Sequence, residues 1–232
     1  MDDTPTFTWR GLWRGIVMSL PLGASSILFG LAFGALASGA GLTLAESVLM
    51  SAAVFSGTAQ LAILQMGVAS LAVLPIFATV LAVNARYILM GAALRPWLGP
   101  LPFCTSAFSL FFLVDQSFAL SMRERQRGDG DAALFLGSGL VSYVTWVAAT
   151  GGGFLLGQRI GDPRTYGVDF ILVAFCAAST VMIWRGPRQL FVLLAALAAA
   201  IAAEQAAGGA WAVVAAGLAA ALIGALQHGR AA

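Results

Sequence analysis

From Gly15 to Ser38 the chain carries no charged side chain, and apolar runs of similar length recur along it, separated by short clusters of arginine and acidic residues. A helix needs roughly 20 apolar residues to cross the hydrocarbon of a bilayer. With 60% hydrophobic and 9% charged residues among 232, and a mean hydropathy of +0.91, the chain lacks the polar surface of a water-soluble globule and belongs in a membrane. The runs predict spans near residues 15–38, 45–70, 71–94, 102–122, 132–157, 167–184, 188–206 and 209–227. The expected fold is all-α, a polytopic helical bundle of about eight spans in one transmembrane domain. The second and fifth runs are long enough to tilt or break, and Glu204 interrupts the seventh. A membrane β-barrel is excluded, because its strands alternate apolar and polar residues over roughly 10 positions. Ala35-Leu36-Ala37 resembles a signal-peptide cleavage site, but the run before it exceeds the roughly 7–15 residues of a signal h-region and is expected to be retained.

All 12 basic residues are arginines. With eight spans and a cytoplasmic N-terminus, Arg10, Arg14, Arg123, Arg125, Arg127, Arg185, Arg188 and Arg230 fall inside, and Arg95, Arg159 and Arg164 outside. That asymmetry favours both termini in the cytoplasm. It also argues against a re-entrant second segment, which would turn the Arg123–Arg127 loop outward. Trp9, Trp13, Trp97 and Trp184 fall near expected span ends, where indoles anchor at headgroup depth. A weak internal similarity relates Gly30-xxx-Gly34 to Gly153-xxx-Gly157, and AVFSGTA at 53–59 to AFCAAST at 174–180. It allows two repeat halves, 10–122 and 132–227, in which Asn84 corresponds to Glu204. The glycine pairs also read more simply, as small residues that let helices approach closely.

Few residues are suited to catalysis. Without lysine there is no phosphate loop, and the single histidine, His228, lies in the C-terminal tail. No Ser/His pair or HExxH falls within the apolar runs, and Gly167-Val168-Asp169 departs from the GxGD pattern of intramembrane aspartyl proteases. Cys104 and Cys176 have neither CxxC spacing nor a neighbouring histidine, so both are expected to be packing residues, with no metal site and no cofactor. The Arg123–Arg127 cluster is interleaved with Glu124 and followed by Asp129 and Asp131. It reads as a solvated loop rather than a nucleic-acid surface, with lipid headgroups as the alternative contact. The chain is expected to be no enzyme.

Polar residues at membrane depth are costly, roughly 2.5–3.5 kcal/mol for a central Arg or Asp. Arg86 follows Asn84 in VLAVNARYILMG, and Asp115 follows FSLFFLV. An ion pair between them would let both remain in the membrane, and direct participation in a transport route is the equal alternative. Glu46 and Asp169 fall at span ends, where interfacial solvation accounts for them. In AVFSGTAQLAILQ, residues 53–65, Ser56, Gly57, Thr58 and Gln60 gather in mid-span. A glycine between two hydroxyl residues weakens the helix there, and a broken second helix is expected, with Gly57 providing backbone access. Interrupted helices in transporters bind a substrate carboxylate at a half-helix N-terminus. Hydrogen bonding between packed helices is the simpler alternative.

FGLAFG at 29–34, VFSGTAQLAIL at 54–64, NARYILMG at 84–91, Asp115 and LGSGLVSYVTW at 136–146 together resemble the AzlC family of membrane proteins, also called the YgaZ family. The resemblance covers roughly residues 10–185. It implies the large subunit of a bacterial inner-membrane exporter of branched-chain amino acids, working with a small AzlD-like membrane subunit. It carries over to Ser56, Gly57, Thr58, Gln60, Asn84, Arg86 and Tyr87 as substrate-binding residues and to Asp115 as the coupling residue paired with Arg86. Family members often have Asp-Glu where this chain has Asp115-Gln116. A non-transporting membrane subunit is the rival expectation.

Overall fold

The computed structural model describes residues 5–65, 73–160, 165, 167, 170, 173, 177, 186–207 and 209–229. Its described residues form helices and turns, with one isolated bridge between Thr6 and Asp131 and no strand. The helices are α1 (Trp9–Gly39), α2 (Leu44–Val54), α3 (Gly57–Gln65), α4 (Val73–Leu98), α5 (Phe103–Phe111), α6 (Asp115–Gln126), α7 (Ala133–Ile160), α8 (Arg188–Ala207) and α9 (Gly209–Gly229). Among the described residues, four helices contain stretches long and apolar enough to cross a membrane: Trp9–Gly39, Ile76–Leu98, Ala133–Ile160 and Gln189–Ala206. The protein is an all-α membrane protein. The chain divides into two compact units, Met1–Gly57 with Arg86–Val168, and Thr58–Ala85 with Asp169–Ala232. The sixth expected span, AFCAAST, Cys176 and Trp184 lie wholly or largely outside the described residues.

In the first unit α1 and α7 pack side by side and parallel, because small residues let their backbones touch. Gly15 sits against the Leu134 carbonyl, Gly23 beside Val141 and Thr145, Gly30 beside Trp146 and Ala149, and Gly34 beside Thr150 and Phe154. From the other side, Gly137, Gly153 and Gly157 lie on Leu12, Leu31 and Ala35. A Cβ on Gly30 would stand 2.8 Å from that of Ala149, and one on Gly157 would stand 2.9 Å from Ala35 Cα. Without a hydrophobic drive between helices in lipid, such contact is what holds them. The simpler reading of both GxxxG pairs is therefore met geometrically.

At the start of α1 the backbone of Thr6 bonds Gly130 O and Ala132 N, and the Thr8 hydroxyl meets the Asp131 carboxylate. Arg14 bonds Asp129 at 2.6 Å and lies 3.6 Å from Glu124, which also takes Arg127 at 2.9 Å. This ties the beginning of α1, the end of α6 and the beginning of α7 to one side of the unit.

Two interruptions divide the apolar runs. The expected break in the second run is present, but the residue that bends is Phe55, with φ 36 and ψ 47 between α2 and α3. It is the one described non-glycine residue with positive φ. The second interruption was not expected. The run 102–122, read above as one span, stops at Phe112, where α5 closes with short bonds from the Phe112 and Leu113 N–H groups to Ser109 O and Leu110 O, both 3.1 Å. Val114 is extended, and the chain restarts as α6 at Asp115. The signals for this restart are local. Asp115 complements the positive end of the helix, and the Ser117 Oγ accepts the Val114 N–H at 3.0 Å.

The fourth run consequently does not cross. Trp97, at the end of α4, donates its indole N–H to Gly130 O at 3.0 Å, and Ser106 of α5 donates to Leu98 O at 2.6 Å. Leu94, Trp97 and Leu98 pack with Leu113, Ala132 and Phe135 in one buried cluster. The end of α4, the beginning of α5 and the end of α6 thus share the side on which α1 begins. The helices α5 and α6 form a re-entrant pair whose tip, Phe112–Asp115, reaches the middle of α1 and α7. Two expectations are corrected. Arg95, at the end of α4, joins Arg10, Arg14, Arg123, Arg125 and Arg127 rather than lying opposite them. Trp97 is 2% exposed and is a core residue, with Arg125 6.0 Å over its ring, whereas Trp9 and Trp13 are exposed as headgroup anchors are.

Cys104 follows the first residue of α5 and is exposed rather than packed. It is a native probe of the re-entrant arrangement. In membrane vesicles of a Cys176→Ser background, a membrane-impermeant maleimide is expected to reach Cys104 from the same side as a cysteine at Gly128. Labelling from opposite sides would restore the fourth run as a full crossing.

In the second unit α8 and α9 pack on each other as a hairpin. They leave Phe191, Leu194, Leu197, Leu218 and Leu222 exposed, as suits a bilayer.

Candidate functional site

The tip of the re-entrant pair reaches a polar patch halfway along α1 and α7. The Gln116 Nε2 donates to Ser25 Oγ at 2.7 Å, while Ser26 Oγ and Ser142 Oγ donate to its Oε1 at 3.1 and 3.3 Å. Ser25 donates its own proton to Leu22 O at 2.7 Å. It must therefore accept from residue 116, which an amide allows and a carboxylate does not. The glutamine that stands where family members often have a second acid is thus fitted to this serine set. No second titratable group stands beside Asp115 on that turn.

Asp115 Oδ2 meets Arg86 Nη1 at 2.9 Å, and the Arg86 guanidinium lies 5.1 Å over the Tyr87 ring. The expected pair is formed, on α4 and the first turn of α6. Its side chains are 35% and 40% exposed. A charged pair at this depth needs water or polar groups on its open side, because hydrocarbon there would cost several kcal/mol. The structure thus brings Arg86, Tyr87 and Asp115 together.

The α2–α3 break lies against α7. Phe55 packs edge-on to Tyr143 at 5.0 Å, and Tyr143 Oη donates to Ala52 O at 3.1 Å, a carbonyl freed by the end of α2. Ser51 and Thr150 bond at 2.8 Å. Ser56 is buried, and Gly57 lies under the Trp146 indole, where a Cβ would collide with Cη2 and stand 2.9 Å from Cζ2. Gly57 is already helical, in the first turn of α3. Its lack of a side chain serves close packing on Trp146, not the bend, which Phe55 makes. A leucine at Gly57 would displace Trp146, so its effect on activity would report on packing as well as on access. Thr58, Gln60 and Asn84 belong to the second unit, where Gln60 is fully buried and Asn84 half-buried. None of these three is without an interaction partner, nor is Ser56.

Sequence reasoning missed Tyr143, which touches both interruptions. Its ring also packs against Phe111 at 5.8 Å and Phe112 at 5.3 Å. Gly139, one turn earlier on α7, admits Phe112, since a Cβ there would lie 2.6 Å from Phe112 Cβ. The signal available in sequence was the spacing itself, a glycine and a tyrosine four positions apart on one face of a long helix.

The arrangement presents two helix breaks that share one aromatic ring, and a half-open ion pair. Comparisons agree with a membrane assignment. A relative from Archaeoglobus fulgidus, described as an uncharacterized membrane protein, is 30% identical over 150 residues, which are 63% of this chain and 63% of the relative. The chain therefore spans under two thirds of that relative's length. No solved structure matches. The family described as AzlC protein matches residues 21–160, from the middle of α1 to the end of α7 and so across both breaks and the Arg86–Asp115 pair; the chain belongs to the AzlC family.

Proposed function

We propose that the chain is the permease subunit of an exporter of branched-chain or other neutral aliphatic amino acids such as valine. It would act in a bacterial inner membrane with both termini cytoplasmic, together with a small AzlD-like subunit. The observation that carries this is the pair of interrupted helices meeting halfway along α1 and α7 beside a half-open Arg86–Asp115 pair, in a chain of the AzlC family. Irregular backbone at membrane depth is tolerated where it lines a cavity or is buried in protein, and it is the recurrent substrate-binding element of transporters.

A zwitterion suits the α2–α3 break. Interrupted helices can take a carboxylate at a half-helix N-terminus and an ammonium at the carbonyls of a half-helix C-terminus, which suits both charges of an amino acid. The aliphatic side chain would rest on the aromatic surface of Phe55 and Phe111. Discrimination among Val, Leu, Ile and Met is then weak, because one methylene is worth roughly 1–3 kcal/mol. Asp115, ion-paired with Arg86, is the proton-coupling candidate. Gln116 cannot share that task.

Cells loaded with a valine-containing dipeptide test the proposal. Valine efflux is expected to rise several-fold when this chain and its small subunit are both present, and not with either alone. Equal efflux in every case would make the chain a non-transporting membrane subunit.

A further inference from the structure

We infer that Tyr143 is a positioning residue that couples the two helix breaks, so that neither rearranges without the other. Its hydroxyl holds the end of α2 through Ala52 O at 3.1 Å, and its ring packs edge-on against Phe55 on that break. The same ring also lies against Phe111 and Phe112 at the end of α5. Phe55 and Phe112 are both buried, and Phe112 is held in place by the bare backbone of Gly139. The mount itself is rigid, because Tyr143 stands on α7, which the glycine contacts bind to α1 along its length. Two hinges thus share one pin on a fixed post. Phe55, in the left-handed region where an aromatic residue rarely rests, keeps that conformation only while its surroundings impose it. Withdrawal of Tyr143 from either side removes that support. A substrate ammonium at the end of α2 would compete for Ala52 O, the carbonyl that Tyr143 caps, and through Tyr143 its arrival is felt at Phe112 and at Asp115 three residues on.

This coupling is a property of the fold. Its meaning for transport rests on the export reading above, and the two are tested separately. Hydrogen exchange of the folded protein in lipid nanodiscs, followed in segments 52–57 and 111–115, tests the coupling without substrate. Tyr143→Phe keeps the ring and removes only the bond to Ala52 O. It is expected to speed exchange about two- to tenfold in 52–57, the worth of one hydrogen bond, and measurably in 111–115 as well. Phe112→Leu perturbs the other side and is expected to act in reverse, since coupling between sites is reciprocal. If each variant affects only its own segment, the two breaks are independent and the inference is overturned. Transport supplies the second arm. Tyr143→Phe is expected to lower the maximal valine efflux rate about two- to tenfold while shifting the half-saturating concentration less than about twofold, as a residue that governs a conformational step would. A shift confined to the half-saturating concentration would instead make Tyr143 a substrate contact and overturn the coupling role. Should the wild-type protein move no valine, the export reading fails, and the exchange result still decides the coupling.

Discussion

Gly34→Val is expected to remove most of the folded protein. A Cβ at Gly34 would collide with Thr150 O and stand 2.6 Å from the Phe154 N, and both are backbone atoms of a helix that cannot rotate away. The only relief is to part α1 from α7, which loosens the neighbouring contacts at Gly30, Gly153 and Gly157 together. Overpacking costs typically about 1–3 kcal/mol where side chains can adjust, and a backbone-to-backbone clash belongs at or above the top of that range. Gly91→Ala is the matched control, since nothing lies within 4 Å of its added carbon. Thermal midpoints and the monodisperse fraction after mild solubilisation provide the measurement. Gly34→Val protein that melts with the wild type would mean that α1 and α7 do not meet at this face.

Removing either member of the Arg86–Asp115 pair is expected to have the other large effect, chiefly on activity. A fully buried pair broken on one side loses about 3–5 kcal/mol, but side chains 35% and 40% exposed are partly solvated. The stability cost of Arg86→Ala or Asp115→Ala should therefore fall nearer about 1–2 kcal/mol, between the buried and surface regimes. The double replacement should regain part of it, because no charge is then left alone. Efflux should separate the roles. If Asp115 carries the coupling proton, Asp115→Asn, which keeps the shape and a hydrogen bond to Arg86, loses at least about tenfold in efflux per folded molecule, and the double variant regains stability without regaining transport. Full efflux from Asp115→Asn would leave the pair a structural one.

The length and spacing of apolar runs were enough to establish a helical membrane protein, because every backbone polar group in lipid must be satisfied within a helix or a closed barrel, and the runs do not alternate as barrel strands do. The break near FSGTAQ was legible too, since a glycine between hydroxyl residues in mid-span has few uses. So was the Arg86–Asp115 pair, because two isolated charges at membrane depth have little choice of partner. Hydropathy, however, measures the length of an apolar run and not its direction. The run 102–122 is long enough to cross, yet it turns back at Phe112–Val114, where Gly139, Ser117 and Tyr143 supply the room and the hydrogen-bonding or aromatic contacts that a reversal needs. Two of those three residues stand on α7, far along the chain, so they cannot mark the turn in the sequence around it. For the same reason the close packing of Gly57 on Trp146, about ninety positions away, could not be read from the stretch around it. Only the packing of α7 against α1 and against both breaks decides where the chain reverses, which side receives Arg95, and that one tyrosine ring touches both interruptions.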